Sequence, residues 1–189
     1  MSKKILVLDN YDSFTYNLVH YVEEITGTDA NVFRNNMISL DKVDRYDYII
    51  LSPGPGLPKD AGIMPELLKR YASSKKILGI CLGHQAIVES EGGILYNLDK
   101  VYHGIATPVT VDTRHKMFKG LKEKLDVGRY HSWAVKKENL PGSLEVIASD
   151  ENGVVMGVQH KKFAVTGVQF HPESILTPEG KTMIKQWLS

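Results

Sequence analysis

The sequence predicts an α/β protein with a mostly parallel central sheet, flanked by helices and continued by an antiparallel β extension. Over the first half of the chain, short apolar runs alternate with helical periodicity, as expected for parallel strands joined by crossover helices. The second half is β-rich with short turns, which is typical of antiparallel strands. Because no linker, repeat or low-complexity stretch separates the halves, we expect residues 1–189 to form a single domain.

The first half contains four predicted strands and three predicted helices. The strands are short apolar runs that cover 5–8, 31–34, 48–51 and 77–80. The first helix begins after Asp12 or Ser13, either of which can cap it, and ends at Gly27. Pro65 begins the second helix, and the third covers 83–91, ahead of two glycines.

The second half adds four β-rich segments and a last helix. The β-rich segments cover 107–111, 144–149, 154–159 and 163–170. Residues 150–153, Asp-Glu-Asn-Gly, predict a hairpin turn between two of them. The last helix covers 178–189, with Pro178 near its first turn and an apolar face. That face consists of Met183, Ile184, Trp187 and Leu188.

Composition is that of an ordinary globular protein, with 42% apolar and 24% charged residues. The net charge of +1 gives no basic field that would favour nucleic acid. The apolar run before Asp9 is too short for a signal sequence, and no run approaches membrane-spanning length. One cysteine cannot form an internal disulfide, which suits a reducing compartment. We therefore expect a cytoplasmic protein that binds neither nucleic acid nor membrane.

The most specific local motif is Gly-Ile-Cys-Leu-Gly at 79–83, between a buried strand and a helix. It matches a nucleophile elbow with cysteine in place of serine, because glycines two residues either side of the nucleophile permit the sharp turn. Cys81 would then lie at a helix N-terminus, which favours a thiolate. On this motif alone, a small buried core cysteine is an equally good interpretation.

A nucleophile needs a base, and His171 is the candidate because it follows a β-run, where functional residues of α/β sheets tend to lie. A bend at Pro172 would let the Glu173 carboxylate reach the imidazole and stabilise its cation. Taken alone, a surface histidine at a strand end is the better interpretation.

The oxyanion site is predicted in the Pro-Gly-rich loop 52–58, where Gly54 and Gly56 can aim N–H groups into a cleft. The N–H of Leu82, next to the nucleophile, would be the second donor. Gln85, one helical turn beyond Cys81, is a candidate for substrate contact. The alternatives are a plain surface turn and an ordinary helix glutamine. The histidines show no metal-ligand spacing, so we expect no metal site.

Three motifs together resemble the class I, triad-type glutamine amidotransferases. They are Gly-Ile-Cys-Leu-Gly-His-Gln at 79–85, Pro-Gly-Pro-Gly at 53–56 and Gln-Phe-His-Pro-Glu-Ser at 169–174. The resemblance runs over essentially the whole chain and implies a flavodoxin-like fold, L-glutamine as substrate and a triad of Cys81, His171 and Glu173. It also implies a glutamine pocket lined, in part through backbone groups, by Gly54, Pro55, Gly56, Gln85, Ser132 and Trp133.

The segment 8–18, Leu-Asp-Asn-Tyr-Asp-Ser-Phe-Thr-Tyr-Asn-Leu, is similar to the opening of the glutaminase subunits of anthranilate synthase and aminodeoxychorismate synthase. Segments 129–132 and 174–177 resemble further segments of these chorismate-related glutaminase subunits, which we call the chorismate branch of the family. This implies that the partner is a chorismate-binding synthase subunit in a hetero-oligomer, and that the free chain is weakly active. It implies no cofactor in this chain, so any Mg²⁺ requirement would belong to the partner.

Two positions depart from the branch. Trp133 stands where relatives commonly have leucine, which leaves pocket shape open, and Ile105 replaces the usual lysine of a His-Gly-Lys segment. Alternatives that remain are a glutaminase serving another biosynthesis, a non-catalytic regulatory or scaffold subunit, and a cysteine peptidase or esterase. The sequence favours anthranilate as product, with aminodeoxychorismate as the second candidate or one subunit serving both.

Overall fold

The computed structural model describes residues 3–189, which form one eleven-stranded sheet with helices on both faces. The strands are β1 Ile5–Asp9, β2 Asn31–Arg34, β3 Tyr48–Leu51, β4 Lys76–Ile80, β5 Leu95–Asn97, β6 Ile105–Val111, β7 Lys124–Arg129, β8 Trp133–Val135, β9 Leu144–Asp150, β10 Val155–His160 and β11 Val165–Val168. The α-helices are α1 Thr15–Thr26, α2 Leu40–Val43, α3 Met64–Tyr71, α4 Leu82–Ser90 and α5 Gly180–Leu188. Short 3₁₀ turns cover Pro58–Asp60, Lys116–Phe118 and Lys137–Asn139.

The strand order is β2-β1-β3-β4-β11-β10-β9-β6-β7, and β8 pairs with both β10 and β5. The first five strands of this order are parallel, and the pairings beyond β11 are antiparallel. The predicted parallel sheet with an antiparallel extension is therefore confirmed. It places the carboxyl ends of β1, β3, β4 and β11 along one edge, where α/β proteins generally bind ligands.

The parallel strands are buried on both faces, which explains why they are continuous apolar runs. In β1, Ile5 and Val7 contact one core while Leu6 and Leu8 contact the other. Helices α1 and α5 cover the first face, and α3 and α4 cover the second. The sheet is thus fixed from both sides, so the loops at its carboxyl edge start from rigid positions.

Several element boundaries differ from expectation. Helix α1 begins at Thr15, not directly after Asp12 or Ser13, because the Asp12 carboxylate accepts a hydrogen bond from the Phe14 N–H and holds a turn ahead of the helix. The last strand is limited to four residues, and α5 begins at Gly180, two residues after Pro178. The predicted end of α1 at Gly27 is confirmed by its left-handed φ of 65°.

Strands β5, β7 and β8 and helix α2 were not predicted. Three of these elements have only three or four residues, too few to show periodicity. β7 contains charged residues and a glycine at the edge of the sheet, so its alternation is weak. Within residues 3–189, no helix combines the length and apolar character needed to cross a membrane.

Candidate active site

The register of two parallel strands brings together the residues after them. β4 and β11 pair with Ile80 opposite Val168, and the Cys81 N–H donates to the Val168 carbonyl at 2.8 Å. The next residue of each strand, Cys81 and Gln169, therefore lies at the same level of the sheet edge. His171 follows two residues later. The arrangement is a consequence of strand pairing, which sequence spacing alone could not give.

Cys81 adopts φ 51° and ψ −99°, a backbone conformation that is uncommon for a residue with a side chain. A Cβ on Gly79 would lie 2.4 Å from the carbonyl carbon of Gly83, and a Cβ on Gly83 would lie 2.6 Å from the carbonyl oxygen of Leu51. Both glycines are therefore required by close backbone approach, as the elbow interpretation predicts. Cys81 immediately precedes α4, whose N-terminal N–H groups favour an anion.

His171 and Glu173 form a buried pair in which Nδ1 of the ring lies 2.6 Å from Oε1 of the carboxylate. The chain turns here, because the Ser174 N–H donates to the His171 carbonyl across Pro172. Since a carboxylate only accepts, Nδ1 carries the proton and Nε2 is the nitrogen left for chemistry. Nε2 has no hydrogen-bond partner among residues 3–189.

The charge of His171 is set by opposing influences. Burial would lower its pKa, but contact with the Cys81 sulfur and with the Glu173 carboxylate outweighs burial, and the pKa is raised. The site therefore favours an imidazolium at His171, the form in which histidine can donate a proton.

Two aromatic rings pack against the His171 ring. The Tyr130 ring lies edge-on at 4.8 Å and the Phe14 ring at 6.0 Å, measured between ring centroids. Asp12 lies near the His171–Glu173 pair, and partial burial raises the pKa of its carboxyl group above the ordinary value. The segment ahead of α1 thus contacts the histidine directly, a contact that was not predicted.

A cleft of about 270 Å³ opens in front of Cys81. Its size is slightly below the roughly 300–1,000 Å³ of sites for drug-sized ligands, which suits a single amino acid. Its lining unites most of the predicted residues: Gly54, Pro55, Gly56, Cys81, Gln85, Ser132 and Trp133, together with Leu57, Tyr130 and His131. The predicted residue Leu82 follows Cys81 as the first residue of α4, but it is not among the residues that line the cleft.

Positions 54 and 56 of the loop require glycine for different structural reasons. A Cβ on Gly54 would lie 2.5 Å from the Cβ of Asn10, so the loop could not approach β1 with a larger residue. Gly56 has φ 78° and open space around it, so its conformation, not crowding, requires glycine. The Asn10 amide donates to the Ser52 carbonyl and fixes the beginning of this loop.

Three polar side chains that were not predicted complete the site. Gln169 donates to Sγ of Cys81 at 3.5 Å. His131 bonds the Trp133 carbonyl at 2.8 Å, and the Arg129 guanidinium donates to the other ring nitrogen at 3.1 Å. Gln169 lies inside the motif at 169–174 and could have been singled out as a buried polar residue two positions before the base.

A larger surface cleft of about 540 Å³ lies beside β8 and the start of β10, but its lining has no cysteine, serine or histidine. Within residues 3–189, no group of three or more metal-binding side chains is close enough to hold an ion. His84 is fully enclosed, and burial lowers its pKa to about 3, so it is neutral and acts in packing. The expectation that this chain needs no cofactor stays a prediction.

The sequence profile of the family described as "Glutamine amidotransferase class-I" matches residues 6–189. The chain belongs to this family. It is 42% identical to aminodeoxychorismate/anthranilate synthase component 2 of Bacillus subtilis, over 97% of this chain and 95% of that protein. It is also 42% identical to aminodeoxychorismate synthase component 2 of Escherichia coli, over 97% of this chain and 98% of that protein.

Other relatives in the class-I glutamine amidotransferase family are longer. The chain spans 32% of the bifunctional protein TrpGD of Thermotoga maritima, to which it is 42% identical over 99% of its own length. Among solved structures, a putative GMP synthase protein from Thermoplasma acidophilum matches with a TM-score of 0.89 and 26% identity, covering 100% of this chain and 93% of that one. The expected family and fold are therefore confirmed.

Proposed function

We propose that this chain hydrolyses L-glutamine to glutamate and ammonia through a thioester on Cys81. The observation that carries the proposal is the alignment at one sheet edge of a thiol, an imidazole paired with a carboxylate, and a cleft of amino-acid size. Family membership supports glutamine as the substrate. A peptidase or esterase is disfavoured because the chain belongs to the class-I glutamine amidotransferase family.

In the first half of the proposed reaction, the Cys81 thiolate attacks the side-chain amide carbon of glutamine. A carbon–sulfur bond forms and the carbonyl electrons move to oxygen, where the N–H groups of Gly56 and Leu82 stabilise the charge. As the oxyanion collapses, the carbon–nitrogen bond breaks and Nε2 of His171 gives its proton to the nitrogen. Ammonia leaves and the γ-glutamyl thioester remains.

In the second half, Nε2 of His171 takes a proton from water, and the resulting hydroxide oxygen attacks the thioester carbon. The carbon–sulfur bond breaks, glutamate leaves and the thiolate returns. Glu173 stabilises the imidazolium in both halves through its bond to Nδ1. Ser132 and Trp133 line the same cleft as Cys81, where they would contact the rest of the substrate.

The nucleophile is tested with Cys81→Ala and Cys81→Ser. Both variants are expected to release no glutamate from glutamine, measured by coupled assay. With a synthase partner they should still allow product formation from added ammonium salts, which would demonstrate an intact fold and docking surface. Near-normal glutamate release by the alanine variant would refute the assignment.

We further propose that the ammonia passes to a chorismate-using synthase subunit in a hetero-oligomer. Ammonia released into neutral water becomes mostly ammonium, which is not nucleophilic, so a docked acceptor is needed. Four large apolar side chains are exposed on segments that adjoin the site, and exposed apolar surface marks protein contacts where it is contiguous. They are Tyr11, Tyr16, Ile105 and Ile175.

Each of these four residues is close in the chain, or paired in the sheet, to a residue that surrounds His171. Tyr11 and Tyr16 flank Phe14, Ile175 follows Glu173 by two positions, and Ile105 pairs with Arg129 beside Tyr130. Isoleucine at 105 thus adds apolar area where lysine is usual in the branch. The cytoplasm remains the proposed location, because catalysis needs a reduced thiol.

We propose anthranilate as the product of the complex, and aminodeoxychorismate as the second candidate. The second candidate is retained because relatives that are equally identical to this chain have names that include each activity. The test is to mix the purified chain with each type of chorismate-binding subunit, supply glutamine and chorismate, and identify the aromatic amine. Formation of neither amine, with glutaminase activity intact, would indicate a different partner.

A further inference from the structure

A continuous series of buried and partly buried hydrogen bonds joins the antiparallel extension to the Cys81 sulfur. At its far end, Nη1 of Arg129 donates to Asp150 at 2.8 Å, and Nε of Arg129 donates to Nε2 of His131. Nδ1 of His131 bonds the Trp133 carbonyl. Nearer the site, the series runs from that carbonyl through the side-chain amides of Gln85 and Gln169 to Sγ.

The donor and acceptor of every bond in this series are determined by groups that can only donate or only accept. An arginine only donates, so Nε2 of His131 must accept and the ring proton lies on Nδ1. The Trp133 carbonyl only accepts, so the amide nitrogen of Gln85, at 3.0 Å, must face it. The same nitrogen uses its other hydrogen at 3.1 Å on Oε1 of Gln169.

The orientation of Gln169 follows from that of Gln85. Because Oε1 of Gln169 accepts from Gln85, its amide nitrogen is the end that faces the sulfur, at 3.5 Å. Rotating the amide by half a turn would place two N–H donors against each other and a carbonyl oxygen against a thiolate. Gln169 is fully buried, so no water can correct either contact.

We propose that Gln169 is a further catalytic residue whose amide N–H stabilises the thiolate of Cys81. The inference rests on the proposed role of Cys81 as nucleophile. Gln85, the Trp133 carbonyl and the Arg129–His131 pair act as positioning groups that hold the amide in the donating orientation. A hydrogen bond to the charged form of a group favours that form, and in a buried site its effect is not diluted by water.

The test measures thiolate formation directly and requires neither glutamine nor a partner. Cys81 is the only cysteine in the chain, so the rate of alkylation by iodoacetamide reports on this one sulfur. The rate is followed from pH 4 to 10 in the wild type, in Gln169→Met and in Gln169→Glu. Methionine has similar length but no donor, and glutamate places a carboxylate oxygen against the sulfur.

Loss of the donor is expected to move the midpoint of the alkylation profile upward by about one pH unit, the effect of one hydrogen bond to a charged group. The glutamate variant should move it further. Alkylation below the midpoint should slow by about tenfold, and glutamine turnover should fall in parallel. The matched control is Gln186→Glu on α5, whose side chain bonds a surface carbonyl and should leave the profile unchanged.

The inference is overturned if folded Gln169→Met, checked by circular dichroism, has the wild-type midpoint within about 0.3 pH units. If Gln169→Glu does not fold, the methionine variant decides alone. Failure of the proposed function gives a different result, because wild-type Cys81 would then be alkylated normally while glutamine is not hydrolysed.

Discussion

Two histidines lie close to the same cleft, and their surroundings give them opposite charge states. Burial would lower the pKa of both. For His171, the Cys81 sulfur and the Glu173 carboxylate reverse this effect and raise the pKa. For His131, the Arg129 guanidinium adds to burial, and the pKa falls to about 4. In each case a deciding charged residue lies two positions away in the chain.

The comparison shows that one residue type serves two purposes in one site. Nε2 of His171 has no hydrogen-bond partner among residues 3–189, and in the proposed reaction this nitrogen moves a proton between substrate and water. Both ring nitrogens of His131 are occupied, one by a donor and one by an acceptor, so it can only hold its neighbours in place. Chemistry therefore depends on which nitrogen the fold leaves unbonded, more than on the presence of histidine.

The largest expected effect comes from making the same substitution at both histidines. His171→Asn should lower kcat for glutamine by about 10²–10⁴, the usual contribution of an acid–base group. His131→Asn should lower it only about fivefold, because it weakens one hydrogen bond of about 1 kcal/mol. Steady-state assays of the chain with its synthase partner measure both. Equal losses in two folded variants would contradict the division of roles.

The next effect concerns stability and separates the two charged partners. Arg129 and Asp150 form an ion pair with side chains that are 1% and 2% exposed. Arg129→Met should lower the free energy of unfolding by about 3–5 kcal/mol, because the Asp150 carboxylate would stay buried without its cation. Urea denaturation followed by fluorescence measures the loss.

A second substitution sharpens that result. Arg129→Met combined with Asp150→Asn removes both charges, while the asparagine oxygen can still accept from the Asn152 and Val154 N–H groups that Asp150 holds. The double variant should recover at least half of the lost stability. If it is no more stable than the single variant, the loss arises from packing of the arginine side chain against Tyr102.

A smaller effect is expected of pH on the free energy of unfolding, and the lowered pKa of His131 determines its direction. Its pKa is about 4 when folded and 6.5 in its ordinary state, so below pH 6.5 the unfolded chain binds a proton that the folded chain does not. Stability should therefore fall as pH drops from about 6.5 to 4, by about 1.4 kcal/mol per pH unit for this group. His84, buried with a pKa of about 3, adds a loss of the same sign.

The pH effect is measured by urea denaturation at pH 7 and pH 5. His131→Asn should reduce the difference between the free energies of unfolding at pH 7 and pH 5, because it removes the one proton that His131 takes up on unfolding in this range. His20→Asn is the control, because His20 has a side chain that is 75% exposed. A difference that is unchanged in His131→Asn would show that His131 does not remain neutral in the folded chain.

The parallel half of the molecule could be predicted from sequence because its rules are local. Apolar runs indicated strands, Gly27 indicated a helix end, and the glycines around Cys81 indicated the elbow. The antiparallel half could not be predicted as fully, because β5 and β8 are short and the roles of Arg129, His131 and Gln169 depend on strand pairing across the sheet. Resemblance supplied Ser132 and Trp133, but not the hydrogen bonds that hold them.

The smallest expected effect is at Trp133, where the side chain departs from the branch but the contact is made by the backbone. Its carbonyl accepts from both His131 and Gln85, and this geometry does not require a particular side chain. Trp133→Leu should therefore change KM for glutamine by less than about threefold and leave kcat unaltered, since leucine only reshapes the wall of the cleft.

Gln85→Leu is the matched comparison, because it removes the side-chain amide that donates to the Trp133 carbonyl and frees the Gln169 amide to rotate. It should lower kcat by about tenfold or more, consistent with one lost bond and one misplaced donor. If Trp133→Leu proves the more damaging of the two, the indole itself would contact glutamine, and the importance of this strand would lie in its side chain instead of its carbonyl.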